Sequence, residues 1–385
     1  MRHRIAVPIL LALAQAAVAV QDCELNGQSV NPANGYTTQG KTGLMRCRDR
    51  DSGQVVREEE LRGGEFVGLI RYYRDGRLEK EYNRNEQGNR EGRAREFYAD
   101  GRVARDETYR NGNLVGTGRS WHANGALKRI GVRGDDGREL AFAEFNERGQ
   151  LKDFLCGERP LLGKDADDTA FCGHGSRQPV TRDLYSDKGI LRGRVTHVLG
   201  ERVASEQLWD NGKPQEQQEV GKGVWVDRSF SREGVKLRET RWVAIDGGRA
   251  KQLEQEYHDG GSLVRERRWA GEELASEKTF FLNGQLKTDL RYSKRDGRSI
   301  CEVSEFHDNG KPLRQGLFLA RRDSLDKPIG SQKTFDSAGR LRTEREYDAS
   351  GRLTRERELD EAGRVIRDDA VFEDGSRKAF VVPSH

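Results

Sequence analysis

Histidine is the first place to look for acid–base chemistry, because its ordinary side chain titrates near neutral pH. The chain has seven histidines. His122, His258 and His307 share one repeated slot, directly after an aromatic residue and just ahead of a glycine. A slot that recurs in this way belongs to turn construction, where polar residues are selected for how they bond the backbone. His174 is different, because Cys172 stands two residues before it. A thiolate and an imidazole begin a zinc site, but such a site needs more ligands at short spacing, and Cys172 is better used in a disulfide. Asp165, Asp167 and Asp168 make an acidic loop. It lacks the glycine and distal glutamate of a calcium loop. There is no nucleophile elbow, no His-Glu-x-x-His pair and no phosphate-binding loop. The expectation is therefore a protein that is not an enzyme and carries no metal or cofactor.

Partner contact is the chemistry left. Asp165, Asp167, Asp168, His174 and Arg177 are candidates because they sit in an irregular stretch, and loops of that kind often bear function. Trp225 joins them, since tryptophan anchors interfaces and this one lies in a strand-like stretch, GKGVWVDRSF, away from any turn. Trp121, Trp209, Trp242 and Trp269 fall at or near recurring aromatic slots, which gives them a structural role.

What positions these residues is a repeated phrase: FHDNGKPL at 306–313, WHANGAL at 121–127, FNERGQL at 145–151 and FDSAGRL at 335–341. Aligned on its glycine, the phrase falls at Gly76, Gly101, Gly125 and Gly149, then at Gly189, Gly212, Gly234, Gly260, Gly284, Gly310 and Gly339. Gly339, Gly351, Gly363 and Gly375 are twelve apart, so the unit is about twelve residues and two units make a repeat of about twenty-four. Asn-Gly or Asp-Gly occurs fourteen times, and these dipeptides reach positive φ cheaply. The aromatic residue precedes the glycine by four and an aliphatic follows it by two. That predicts a type I turn ending in a left-handed glycine, with the two apolar residues facing each other across an antiparallel pair. Tyr347 should meet Leu353, and Phe335 should meet Leu341. No 3.6-residue period is sustained, so the predicted fold is all-β: an elongated antiparallel meander of tandem hairpins.

Composition agrees with a thin, solvated sheet. Charged and hydrophobic residues each make up 34% of 385 residues, yet 14 Phe, 10 Tyr and 5 Trp argue against disorder. The net charge is +4 with both signs interleaved, which gives no basic track for nucleic acid. Arg2, Arg4, the apolar run 5–14 and Ala17-Val18-Ala19 form a secretory signal peptide over 1–19. The apolar run is too short to span a bilayer. Export permits disulfides, and Cys23–Cys47 with Cys156–Cys172 is the economical pairing, leaving Cys301 over; connectivity is not fixed by sequence. The expected organisation is a cap at 20–60, a first repeat lobe at 61–151, a disulfide-stapled insertion at 152–182 and a second lobe at 183–385.

Units such as YYRDGRLEKEY, FYADGRVARDETYRNGNL, YHDGGSLVRERRW, FFLNGQLKTDLRY and FDSAGRLRTEREYDASGRL, over most of 61–380, resemble the variant MORN repeats of the antitoxin-repeat family. With a signal peptide ahead of them, they are similar to periplasmic immunity proteins of type VI secretion phospholipase effectors. That resemblance implies a periplasmic antitoxin whose partner is a secreted lipase or phospholipase. The alternative it leaves is a MORN-like envelope scaffold that binds other proteins or lipid.

Overall fold

A computed structural model describes residues 21–321 and 324–381. The proposed signal peptide lies outside the described residues. The chain divides into two compact units, 1–170 with 187–189, and 171–186 with 190–385. Each is built on one large antiparallel sheet, the first of 12 strands and the second of 17.

The hairpin follows from the phrase. At FHDNGKPL the Gly310 N–H donates to the His307 carbonyl at 2.9 Å, and the His307 N–H donates to the Lys311 carbonyl at 2.8 Å. Gly310 sits at φ +79°, a left-handed conformation that only glycine adopts without cost. The register slips by one residue beside the turn, so Phe306 faces Pro312. The expected partners Tyr347–Leu353 and Phe335–Leu341 are direct register pairs. One alignment is corrected: the turn glycine of YHDGGSL is Gly261, at φ +86°, and not Gly260. Gly261 keeps the four-residue distance from Tyr257, and its N–H closes the turn on His258.

The two periods have a topological cause. From residue 186 to 310, phrase turns occupy one end of the strands in the second sheet. Shorter turns occupy the other, among them Lys222-Gly223 and Asp296-Gly297 with both residues at positive φ. The phrase therefore recurs every second strand. After Phe335 it is used at both ends, at Gly339, Gly351, Gly363 and Gly375, and the period halves.

Successive phrase turns stack. The Asn309 amide donates to the Ser337 carbonyl at 2.8 Å, and Asn283 donates to the Asp308 carbonyl at 2.9 Å. In the first sheet Asn124 donates to the Glu147 carbonyl at 2.8 Å. The slot three residues before the glycine does the same work: Tyr98 donates to the Trp121 carbonyl at 2.6 Å, and Trp209 to that of Phe230 at 3.3 Å. His122 Nε2 lies 2.9 Å from the Phe145 carbonyl, and His307 Nε2 lies 3.4 Å from that of Phe335.

Segment 20–60 contributes four strands to the first sheet: Gln21–Leu25, Gln28–Val30, Gly43–Asp49 and Val55–Arg62. They carry a buried cluster of Cys23, Leu25, Val30, Met45, Cys47 and Leu61, with a Cys23–Cys47 disulfide of 2.02 Å. Cys156 and Cys172 are each disulfide-bonded, and Cys301 is free and buried. The irregular stretch at 152–182 holds one 3-10 turn, Gly163–Asp165, and one short helix, Asp168–Cys172.

Candidate interaction surface

Side chains directly opposite on adjacent strands share a face and lie within contact distance. Following the register across the first sheet gives Glu24, Arg46, Glu58, Arg71, Glu81, Arg95, Asp106 and Arg119, one from each strand, in strict alternation of sign. Arg46 binds Glu58 at 2.8 Å, Arg71 binds Glu81 at 3.2 Å, and Arg95 also binds Glu81. Burial pushes the Glu58 carboxyl up, but hydrogen bonds from Tyr73 and Arg46 outweigh it and hold the group below its ordinary value. The Tyr73 hydroxyl is pushed up to about 12 by burial and by that same carboxylate. Beyond Arg119 the row turns apolar with Ile130 and Ala143, both fully buried.

The second sheet carries a longer row. From Asp183 the register runs through Arg194, Glu206, Gln217, Arg228 and Glu239. It continues through Gln255, Glu266, Lys278, Asp289 and Ser304. It ends through Gln315, Lys333, Glu344, Arg357 and Asp368. Every one of these residues is polar. Arg194 bridges Asp183 and Glu206 at 3.1 and 2.9 Å, Gln217 donates to Glu206 at 2.8 Å, and Arg357 reaches Glu344 at 3.0 Å. Half-exposed pairs of this kind contribute on the order of 0.5–1 kcal/mol each.

The sequence candidates meet different fates. Asp165 accepts from Arg119 Nε and Nη2 at 2.9 and 2.8 Å, so it supplies the next negative charge after the alternating row. Asp167 accepts from the Ala170 N–H at 3.1 Å and caps the short helix. Asp168 is 1% exposed and accepts from the N–H groups of Leu161 and Leu162 at 2.6 and 3.1 Å, which removes it from any contact surface. His174 packs its ring against Gly200, where an added Cβ would lie 2.6 Å from Nδ1. Arg177 is exposed. Trp225 is half-buried on the strand Val224–Phe230, directly opposite Trp242. Trp242 donates to Asp227 at 2.8 Å and lies under Arg249 and Lys251. Among the described residues no group of three or more His, Cys, Asp or Glu is arranged to hold a metal ion. None of their helices is long and apolar enough to cross a membrane.

The sequence shows Arg and Glu between the apolar anchors as cross-strand partners, but not the continuous rows they build, although a signal is present. Residues of opposite sign recur at Arg46, Glu58, Arg71, Glu81, Arg95, Asp106 and Arg119, separated by 12, 13, 10, 14, 11 and 13 residues. In a meander, those separations are what place residues side by side.

The MORN repeat variant family matches residues 90–111. That span is one complete hairpin, the strands Arg90–Phe97 and Val103–Arg110 around the turn at Gly101, and it supports a MORN-type repeat. No curated protein matches. Among solved structures, the chain overlaps the crystal structure of TcdB2-TccC3-TEV at 11% identity and a TM-score of 0.19, over 86% of this chain and 20% of that one. The Photorhabdus luminescens Tc holotoxin pore with the TccC3-D651A mutation overlaps at 10% identity and 0.19, over 86% and 23%. The chain spans about a fifth of the length of those chains, and overlaps at such scores carry no argument about its function.

Proposed function

We propose that this protein is a secreted binding protein without catalytic activity of its own, whose sheets present mixed-charge faces to a protein partner. The observation that carries this reading is the pair of polar rows. They give rigid, preorganised surfaces of mixed sign, strictly alternating across the first sheet, suited to electrostatic selection of a partner. Following the resemblance of its repeats, the partner is a secreted lipase or phospholipase toxin, and the protein acts as a periplasmic immunity factor of a type VI secretion system. Arg177 and Trp225 are the sequence candidates best suited to that contact: Arg177 is exposed and has no ion pair among the described residues, and Trp225 is a half-buried aromatic on a strand. Blocking an active-site mouth requires tight binding and exclusion of substrate, with no catalytic residue.

The test uses residues 20–385, immobilised and exposed to secreted proteins of the source cell, with captured material identified by mass spectrometry. Capture of a hydrolase whose activity falls to zero at one-to-one stoichiometry is the expected result. Capture of envelope proteins or lipid without any hydrolase moves the protein to the scaffold reading.

A further inference from the structure

One face of the second sheet has a feature that neither polar row explains. On strands from Glu201–Leu208 to Lys236–Ile245, the register places Ser205, Gln218, Asp227 and Thr240 in one line. A parallel line on the same face holds Gln207, Glu216, Ser229 and Arg238. Ser205, Ser229 and Thr240 are short, and a depression of about 470 Å³ lies over them, walled by longer side chains such as Arg202, Gln207, Glu216 and Arg238. Its volume is in the range of sites for small ligands. Thr240 is buried, Ser205 and Ser229 are half-buried, and Gln207, Glu216 and Arg238 stand exposed around them.

The hydrogen bonds in this depression are unevenly used. Asp227 is saturated, accepting from Gln218 at 2.9 Å and from Trp242 at 2.8 Å. Ser205, Gln207, Glu216, Ser229 and Thr240 line the same depression with no side-chain hydrogen bond to another described residue. A row of unspent hydroxyl, amide and carboxylate groups on a rigid sheet is a recognition feature, since folding gains nothing from it. Trp225 lies on the same face, two residues along the strand from Asp227, or about 7 Å at ordinary strand rise. Unlike Trp242 and Trp269, its ring has no lysine or arginine over it among the described residues.

We infer that this depression is a glycan-binding site, with Trp225 as the stacking platform for one sugar ring. Hydroxyl groups both donate and accept, which matches a lining of serine, threonine and glutamine. Glu216 and Asp227 are interleaved with Arg202, Arg228 and Arg238, and Arg228 is held by Glu219 and Glu239, so no patch of a single sign faces a polyanion. The lining of this depression holds no aliphatic or aromatic side chain to receive a fatty chain or a hydrophobic side chain of a peptide. Four strands span about 14 Å, room for a short oligosaccharide of two or three rings. The site shares Trp225 with the proposed toxin contact, so it is tested without any toxin.

The experiment is calorimetric titration of residues 20–385 with chitotriose and with maltotriose, and with tetralysine as a peptide probe. Saturable binding of at least one sugar is expected. Trp225→Ala should weaken it tenfold or more. Because that indole faces Trp242 and its loss can loosen the hairpin, the double variant Gln207→Ala/Glu216→Ala provides the second arm. Both side chains are exposed and unpaired, so its melting temperature should hold while affinity falls at least fivefold. The inference is overturned if neither sugar saturates, if affinity is equal in all variants, or if tetralysine alone binds.

Discussion

Two stretches of the second sheet occupy equivalent places and differ in how their polar groups are used. On strands Glu201–Leu208 to Lys236–Ile245 the line is Ser205, Gln218, Asp227 and Thr240, of which Ser205 and Thr240 are unspent, as are Gln207, Glu216 and Ser229 in the line beside it. Further along, on Ser324–Phe335 to Val365–Val371, the same line, reached through consecutive register pairs, is Gln332, Arg345, Glu356 and Asp369. There every charge is consumed. Glu356, 5% exposed, takes Arg345 at 2.7 Å and Arg377 at 2.5 Å, and Asp369 takes Arg367 at 2.7 Å. Consumed charges hold strands together, whereas unspent ones are available to a ligand. One backbone repeat serves both ends, and only the side chains decide which.

The largest effect should come from breaking the consumed line. Glu356→Ala leaves Arg345 and Arg377 without their shared carboxylate. Both guanidinium groups are about two-fifths exposed and can turn to water, so the cost is about 2 kcal/mol and not more. For a unit of this size that lowers the melting temperature by roughly 4–8 °C. Calorimetry of the purified variant checks this, and a shift under 1 °C would show that the line is ornamental.

Acid should separate the consumed line from a buried histidine outside both stretches. The Arg377 hydrogen bond, with help from Arg345, holds the Glu356 carboxyl below its ordinary 4.5 despite burial. A depressed carboxyl stabilises the fold above pH 4.5 and loses that contribution as pH falls through its folded value. His197, on the strand Leu191–Val198, behaves differently: burial, with the charges of Arg202 and His174, pushes it from 6.5 down to about 4. It is neutral in the fold and charged in the unfolded chain below pH 6.5. Its contribution is complete above pH 6.5 and is lost between 6.5 and about 4. Melting curves should therefore begin to fall below pH 6.5 in the native protein. His197→Gln should remove that early decline and leave the later one, below pH 4.5.

How far the sequence discloses this depends on range. The hairpin was legible because its determinants are local: Phe306, Gly310 and Leu313 lie within eight residues, and the turn chemistry places them. The partners Tyr347 and Leu353 followed from the same geometry. Gly261 was misplaced as Gly260 because two adjacent glycines leave turn propensity undecided and only the distance to Tyr257 settles it. The site was less legible. Asp168 looks like a surface acid in its acidic loop, yet the N–H groups of Leu161 and Leu162 draw it inside. The depression depends on Ser205, Ser229 and Thr240 coming together from three strands, and no one of them is unusual in its own segment. Trp225 stands out in the sequence because a tryptophan away from the turns breaks the repeat.

The smallest predicted effect makes the sharpest test of the comparison. If the unspent groups do nothing for the fold, removing two should cost under about 0.5 kcal/mol, the ordinary scatter for surface substitutions. Gln207→Ala/Glu216→Ala should therefore melt within about 1–2 °C of the native protein. Paired calorimetric scans with Glu356→Ala measure both in the same sheet. A drop for the double variant as large as that for Glu356→Ala would mean that these side chains hold the strands through water or through each other. The distinction between consumed and available charge would then fail. An unchanged melt, beside a clear loss in Glu356→Ala, would show that one face of one sheet divides its residues between cohesion and exposure.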